Sequence, residues 1–480
     1  MQRLHRRLNV ALHSALHSAG LLLTALAGGL LLAGCQATEP AGHDDVARST
    51  GPAEASEPLG VDRDRNIYIP PREDLVQSLR VAVLYNDEDV QVRYEFETDD
   101  PSWYHQYWVR ENGRWVRYGS ADVGPDEHGL YEDRISMAFV DNGVEGFDRA
   151  GGFIVSHPGI RSRTDEVSED EVTSHEHLGE RLGESDVRKF IAESREGDLD
   201  DGLWSRTRSP EELDRLRDEG RFVDTWQWRA HRSNPVGYAD NGYVLDYRLS
   251  SEGDGPYTTN WDDDADQPAY MFDPDVAGVY ALNRDQLLNR EYGQDDPYYL
   301  YEGNARPYDP DHGWRDGDVL PQRFLREPSG SRGALRADGR YEDGMWRLRV
   351  TRTLESPNPR DSHAIEPGNQ YRAQFAVHTG QVGARWHHVS MPVTIGVEAD
   401  GDIEAQYVEG DLDDAEVNHW VDLPIIYPGQ VTWREFQEDG DPLLRSALER
   451  AVRNPTDEIP VRGLAHIIAQ HEQELLRRRP

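Results

Sequence analysis

Short runs of alternating apolar and polar residues dominate the chain between about residue 67 and residue 429. Residues 81–85 and 90–96 alternate in this way on either side of the turn at 86–89, which predicts a β-hairpin. Similar runs recur at residues 135–140, 243–247, 346–352, 371–378, 387–397 and 403–407. Many short strands separated by turn residues predict an all-β fold, specifically a β-sandwich.

Helical patterns are few and short. Ser185 before residues 187–191 and Ser209 before Pro210 each resemble a helix N-terminus. In the C-terminal segment, 430–480, apolar residues recur at helical spacing and predict two short helices. We therefore expect short helical insertions in the sandwich and a helical C-terminal tail.

The N-terminus carries the pattern of a bacterial lipoprotein signal. Basic residues precede an apolar stretch from about residue 21 to residue 32, and small residues lead directly to Cys35. This pattern predicts a signal peptide over 1–34 and acylation of Cys35; the alternatives are an ordinary signal peptide or a membrane span with a chance cysteine. By resemblance to Gram-negative lipoproteins, Gln36 favours the outer membrane, facing the periplasm or the cell surface.

Residues 35–66 have no apolar period, and they are rich in Ala, Glu, Pro, Gly and Ser. This composition predicts a flexible tether between the lipid and a folded domain over 67–429. The membrane is thus an expected partner through the lipid on Cys35.

The charge of the chain describes its surroundings more than its activity. The formal net charge of −39 makes nucleic acid an implausible partner. Lys189 is the single lysine, and strong acidity with so little lysine is typical of a halophilic, salt-adapted proteome.

The motif content excludes several kinds of chemistry. With Cys35 acylated, the mature chain has no thiol for a disulfide, an iron–sulfur cluster or a thioether-linked haem. The GxSxG, GxxxxGK[ST] and HExxH signatures are absent, and residues 175–179 only imitate the last of them. We therefore expect a binding or electron-transfer protein rather than an enzyme.

Histidines in two segments, 151–159 and 385–392, are candidate metal ligands. Because neighbours on a strand face opposite sides, only one of His387 and His388 can point into a cavity. Imidazoles on facing elements of a sandwich, here His157 and His387, can be the two axial ligands of a haem, with arginine near its propionates. The alternative is that both are hydrogen-bonded structural histidines. Met137 offers either a thioether ligand or core packing.

One loop resembles a calcium site. Asp262, Asp264 and Asp266 alternate as oxygen ligands would, but Gln267 stands where an EF-hand-type loop needs glycine. In so acidic a chain, the pattern favours a solvated turn over bound calcium.

Five ordered stretches resemble the ethylbenzene dehydrogenase-related family, the cytochrome c-552/DMSO reductase-like haem-binding domain. They are residues 132–137, 224–241, 260–274, 343–354 and 375–392. The resemblance implies a sandwich akin to DOMON-type and carbohydrate-binding modules, which holds haem and exchanges electrons with a molybdenum enzyme or a respiratory chain.

The resemblance also bears on the haem ligands. The family's gamma subunits hold haem b through Met and Lys, and His387 occupies the place that matches the Lys. Relatives with covalent haem have cysteines before a histidine where this chain has Gly152, Ser156 and His157. This implies noncovalent haem b on His157 and His387, with His388 as the substitute for His387 and Met137 for either ligand, or else loss of the haem.

A haem-free sandwich lipoprotein that binds carbohydrate or another ligand is the alternative function. Related sandwiches bind sugars on aromatic faces, and this chain has aromatic residues clustered after a turn, namely Trp103, Tyr104, Tyr107 and Trp108.

Overall fold

The computed structural model describes residues 60–62, 67–70, 74 and 76–427, apart from residues 121, 123, 142, 159–166, 199–201 and 384–386. The predicted signal peptide with Cys35, most of the predicted tether and the C-terminal segment lie outside the described residues. Within them, the predicted all-β sandwich is confirmed. No helix in this part of the chain is long and apolar enough to cross a membrane.

Strands make up most of the regular structure. In chain order, the first described strands are β1 (Gly60–Asp62), β2 (Ile67–Ile69), β3 (Val76–Tyr85), β4 (Asp89–Glu97), β5 (Tyr107–Glu111), β6 (Arg114–Tyr118), β7 (Arg134–Val140), β8 (Val223–Arg229), β9 (Asp240–Val244), β10 (Arg248–Ser250), β11 (Tyr257–Thr259) and β12 (Tyr270–Phe272). They continue with β13 (Leu282–Asn283), β14 (Leu300–Tyr301), β15 (Ala305–Pro307), β16 (Asp318–Pro321), β17 (Arg323–Leu325), β18 (Arg336–Glu342), β19 (Met345–Thr353), β20 (Gln370–His378), β21 (His388–Ser390), β22 (Val393–Gly396), β23 (Ile403–Glu404), β24 (Gln406–Tyr407) and β25 (Val421–Ile426).

The main sheet has 14 strands, and its principal order is β10-β9-β8-β7-β20-β21-β25-β3-β4-β19-β18. It bends into two layers, which brings the segment just before β9 to the start of β18, where the Ala337 amide donates to the Gly237 carbonyl at 2.9 Å. Aromatic pairs join the layers across the core. The rings of Trp228 and Trp346 lie 5.0 Å apart, and those of Tyr94 and Phe375 lie 5.8 Å apart.

The predicted hairpin corresponds to β3 and β4, which pair antiparallel. β1 lies inside the segment predicted as a tether and pairs with β2. A separate four-stranded sheet, β13-β16-β5-β6, covers a second hydrophobic core rich in tyrosine.

Strand alternation gives β7 two different faces. Ile135, Met137 and Phe139 point into the sandwich core, so Arg134 and Ser136 point to the opposite face. Residues directly opposite across neighbouring strands share a face, which extends this outer face over β8 and β20. Its rows are Arg229–Arg134–His378, Gln227–Ser136–Ala376 and Thr225–Ala138–Gln374.

The described α-helices are α1 (Phe147–Val155), α2 (Glu169–Thr173), α3 (Pro210–Asp218), α4 (Pro274–Ala277) and α5 (Arg284–Leu288). A π-helical segment spans Glu176–Arg181, and 3-10 turns span Ala192–Ser194, Leu203–Ser205, Asn234–Val236 and Gly330–Gly333. α3 begins as predicted, with Ser209 as its N-cap. The helix predicted over 187–191 is wrong: this segment is not helical, and the Ile191 amide bonds instead to the Leu245 carbonyl at 2.8 Å.

Helix α1 lies on the outer face of β7 and β20. Gly151, with φ of +74°, kinks the helix in a conformation that favours glycine. A Cβ atom at this position would meet the Gln374 side chain at 2.5 Å. Gly151 therefore allows α1 to approach the sheet directly.

Candidate functional site

His157 follows the end of α1 and has a fixed ring orientation. Its Nδ1 lies 2.6 Å from the carbonyl oxygen of Phe153, and the two rings are 5.5 Å apart. Because a carbonyl only accepts, Nδ1 carries the proton and the lone pair of the neutral ring is on Nε2. Histidines that bind metals commonly have their second ring nitrogen bonded to a carbonyl in this way.

His387, the residue just before β21, approaches the same phenyl ring. Its ring centroid lies 5.4 Å from that of Phe153 and 4.4 Å from that of His378, the last residue of β20. Both His378 and His387 are buried. We call His157, His378, His387 and Phe153 the histidine cluster. The structure thus brings together the two histidines that the sequence analysis selected.

The sequence analysis missed His378 as a site residue. Strand alternation could have identified it, because alternation places His378 on the face of β20 opposite the core residues Phe375 and Val377. The histidine cluster consequently lies on the outer face of one layer, and not between the layers as expected.

Gln374 joins the two segments that carry His157 and His387. Its Oε1 accepts a hydrogen bond from the Phe153 amide at 2.7 Å, and its Nε2 donates to the Ser390 carbonyl at 2.8 Å. The Ser390 hydroxyl in turn accepts a hydrogen bond from the Phe375 amide at 3.0 Å. A single amide therefore sets the position of α1 relative to β21. No motif in the sequence indicated this role.

His388 lies apart from the histidine cluster. Its Nε2 bonds to the carbonyl of Asp74, and its ring lies 5.4 Å from the ring of Tyr427. Burial lowers the pKa of His388 to about 4, and the hydrogen bond to Asp74 only partly opposes this shift. The Nε2 atom of His388 is thus already bonded to the main chain.

Met137 is not near the histidine cluster either. It points into the sandwich core, where its Sδ accepts a hydrogen bond from the Tyr94 hydroxyl at 3.9 Å. It lines a wholly apolar cavity of about 20 Å³, which is the space of a single water molecule and far too small for a porphyrin. The structure therefore gives Met137 a packing role.

Arg134 connects the histidine cluster with a group of arginines. It lies opposite His378 in the strand register, and its guanidinium covers the ring of Tyr131 at 4.9 Å. Its Nη2 donates to the Val382 carbonyl at 3.3 Å. On the next strand, Arg229 lies opposite Arg134 and pairs with Asp240 at 2.8 Å.

The aromatic residues of the alternative function are largely used inside the protein. Tyr104 and Tyr107 are buried in the second hydrophobic core. The Trp103 indole donates to the Tyr292 carbonyl at 3.0 Å, and Trp108 packs against Trp261 with ring centroids 4.2 Å apart. These four residues do not form an open aromatic face.

The aspartate loop forms a turn held by its own side chain. The Asp262 carboxylate accepts hydrogen bonds from the amides of Asp264 and Ala265, both at 3.1 Å. Among the described residues, no group of three or more His, Cys, Asp or Glu side chains is arranged to hold a metal ion.

The fold and the site define an all-β sandwich protein that carries a histidine-lined face on one layer. A family model described as ethylbenzene dehydrogenase matches residues 44–390, which include the whole histidine cluster. The chain belongs to the ethylbenzene dehydrogenase family, as the five motifs predicted. A cytochrome c-552 from Stutzerimonas stutzeri is 31% identical over 90 residues, which are 19% of this chain and 29% of that protein. The chain therefore matches less than a third of that cytochrome's length.

Proposed function

We propose that this protein binds a noncovalent haem b through His157 and His387 and serves in electron transfer. The family membership and the match to a cytochrome both support a haem-related electron-transfer role. One observation supports the choice of His157 and His387 as the haem ligands: these histidines come from distant parts of the sequence and contact the same phenyl ring.

The donor chemistry of the site fits a haem. Two imidazoles are common axial ligands of iron, and the hydrogen bond at Nδ1 leaves the His157 lone pair on Nε2. An apolar cluster that includes Phe153, Ile154, Val389 and Met391 adjoins the histidines and suits a macrocycle. Haem would supply one-electron chemistry, and burial with the choice of axial ligands would set its potential.

Phe153 controls access to the site in this proposal. Its ring contacts both imidazoles, so a macrocycle that reaches both has to displace it. Phe153 is half-buried and lies at the end of α1, where a change of side-chain rotamer does not disturb the sandwich core. Binding therefore includes a change in the position of the Phe153 ring.

The cellular setting is a further part of the proposal. Acylation of Cys35 would hold the domain at the outer membrane, and a respiratory protein or a molybdenum enzyme would be the redox partner. The support is the signal-like pattern before Cys35 and the family membership.

Hemin titration of the purified full-length protein in detergent tests the haem proposal. We expect a Soret band with the spectrum of six-coordinate low-spin iron, and its loss in His157→Ala and His387→Ala. Two control variants should keep the band, namely His388→Ala, which removes the buried neighbour, and His419→Ala, which changes an exposed histidine. A wild-type protein that stays colourless with excess hemin contradicts the proposal.

A further inference from the structure

The arginines beside the histidine cluster form a concentrated group around Tyr257. The guanidinium carbons of Arg232, Arg323 and Arg229 lie 5.3, 5.7 and 5.8 Å from the centre of the Tyr257 ring. Arg248 joins them through Gln227, whose side-chain oxygen it contacts at 2.8 Å and which also bonds to Arg229. We call Arg134, Arg229, Arg232, Arg248 and Arg323 the arginine group.

The arginine group has too few carboxylates to neutralise it. Glu132 pairs with Arg232, and Asp240 pairs with Arg229 but is shared with a further arginine, Arg332, at 2.6 Å. In a chain with a formal net charge of −39, acidic residues are abundant, so their scarcity at this place is a local property. Uncompensated buried charges are costly, and a bound anion would remove that cost.

Unpaired donors point to the same conclusion. The Nε atoms of Arg134 and Arg323 are buried, and neither has a hydrogen-bond partner among the described residues. Neither side chain forms an ion pair with a described carboxylate. Buried donors are normally satisfied, so these two mark a place for acceptors that the chain itself does not provide.

The pKa of Tyr257 reflects the positive charge of the arginine group. Burial alone would raise the pKa of its hydroxyl, but Arg232 and Arg229 outweigh burial and lower the pKa to about 8. An anion bound among these arginines would offset the positive charge that stabilises the Tyr257 phenolate.

The position of the group suggests which anion it takes. Arg134 lies one strand from His378, whose ring is 4.4 Å from that of His387, so Arg134 is two strands, or roughly 10 Å, from the proposed ligand, and Arg229 lies on the next strand. This is the order of distance between the centre of a porphyrin and its propionate carboxylates. In the neighbouring row of the same face, the small residues Ser136 and Ala376 lie opposite each other, and Ala376 packs into the apolar cluster that adjoins the histidines.

We propose that the arginine group is a carboxylate-binding site that takes the propionates of the haem, with Arg134 and Arg229 as the nearest donors. This inference rests on the proposed haem function. A free carboxylate or phosphate has the same chemistry and is the other source of an anion for the site.

The test compares hemin with hemin dimethyl ester, whose propionates are uncharged, in binding titrations on the full-length protein. Because hydrogen bonds to charged groups contribute strongly, the ester should bind about 10-fold or more weakly. Arg134→Gln should weaken hemin binding by a similar factor and leave ester binding unchanged. Arg340→Gln, an exposed arginine paired with Asp295, is the matched control and should change neither.

The outcomes separate this inference from the haem function. If hemin and its ester bind equally well, the propionate assignment is wrong and the haem function stands. If neither hemin nor its ester binds, both the propionate assignment and the haem function are wrong. If millimolar inorganic phosphate or succinate alone stabilises the wild-type protein against heat but not Arg229→Gln, and the two macrocycles bind equally, the site takes a free anion and the haem source is overturned.

Discussion

Acid should destabilise this protein through His388, and the size of the effect follows from its environment. His388 is 6% exposed, and its ring is bonded to the Asp74 carbonyl. Burial lowers the pKa of His388 from 6.5 in the unfolded chain to about 4 in the folded one. Between these values the unfolded state binds more protons, so the free energy of unfolding falls as the pH falls.

The expected loss is close to 3 kcal/mol between pH 7 and pH 4. A difference of one pKa unit corresponds to about 1.4 kcal/mol, and the shift of His388 spans between two and three such units. His388→Gln keeps an N–H donor for the Asp74 carbonyl but cannot be protonated in this range. The variant should therefore lose about 3 kcal/mol less than the wild type over the same interval.

Urea denaturation at several pH values, in a high-salt buffer that screens the acidic surface, measures this difference. The quantity to compare is the slope of unfolding free energy against pH in the wild type and in His388→Gln. His419→Gln, at an exposed position, should follow the wild type. Parallel slopes for all three proteins would refute the reasoning, because they would mean that His388 titrates normally in the folded state.

Other predictions concern the site and the arginines. Phe153→Ala should bind hemin several-fold more tightly in a Soret titration, since no ring has to be displaced; weaker binding would contradict the access role of Phe153. Gln374→Leu leaves the Phe153 amide and the Ser390 carbonyl unpaired and should cost about 2 kcal/mol or more in urea unfolding. An unchanged midpoint would show that the amide does not join α1 to β21. Gly151→Ala should lose about 1–3 kcal/mol, since its φ is +74° and its Cβ would meet Gln374; a thermal melt checks this. Because the pKa of Tyr257 is lowered to about 8, the wild type should gain about 2 kcal/mol over Tyr257→Phe as the pH rises from 8 to 10. Equal pH dependence in chemical denaturation would argue against that shift.

Much of the fold follows from local pattern. Alternation in residues 81–85 and 90–96 predicted β3 and β4, because a strand with one buried face repeats every two residues. The helix expected at 187–191 failed because main-chain bonds to neighbouring segments outweighed a weak local preference. Helix α1 was not expected, since adjacent glycines disfavour helix, and only the fit of Gly151 against β20 and of Gly152 against β7 explains them.

The site was only partly predictable. His157 and His387 came from their motifs, and no periodicity could place them beside one phenyl ring. The face of β20 on which His378 lies could have been predicted from strand alternation alone. The arginine group could not be foreseen, because its members come from separate strands and loops that meet around Tyr257 and through the register of β7 and β8.

The bond between the segment before β9 and the start of β18 has a consequence for how this protein behaves among its own copies. It occupies the start of the edge strand β18, the Asn234 side chain bonds the amide and the carbonyl of Gly339 in the same strand, and β10, at the other end of the sheet, is three residues long. Long bare edge strands are templates on which identical chains polymerise, and this sheet offers none among the described residues. Copies of this protein at high local concentration can therefore contact one another without forming intermolecular β-sheets.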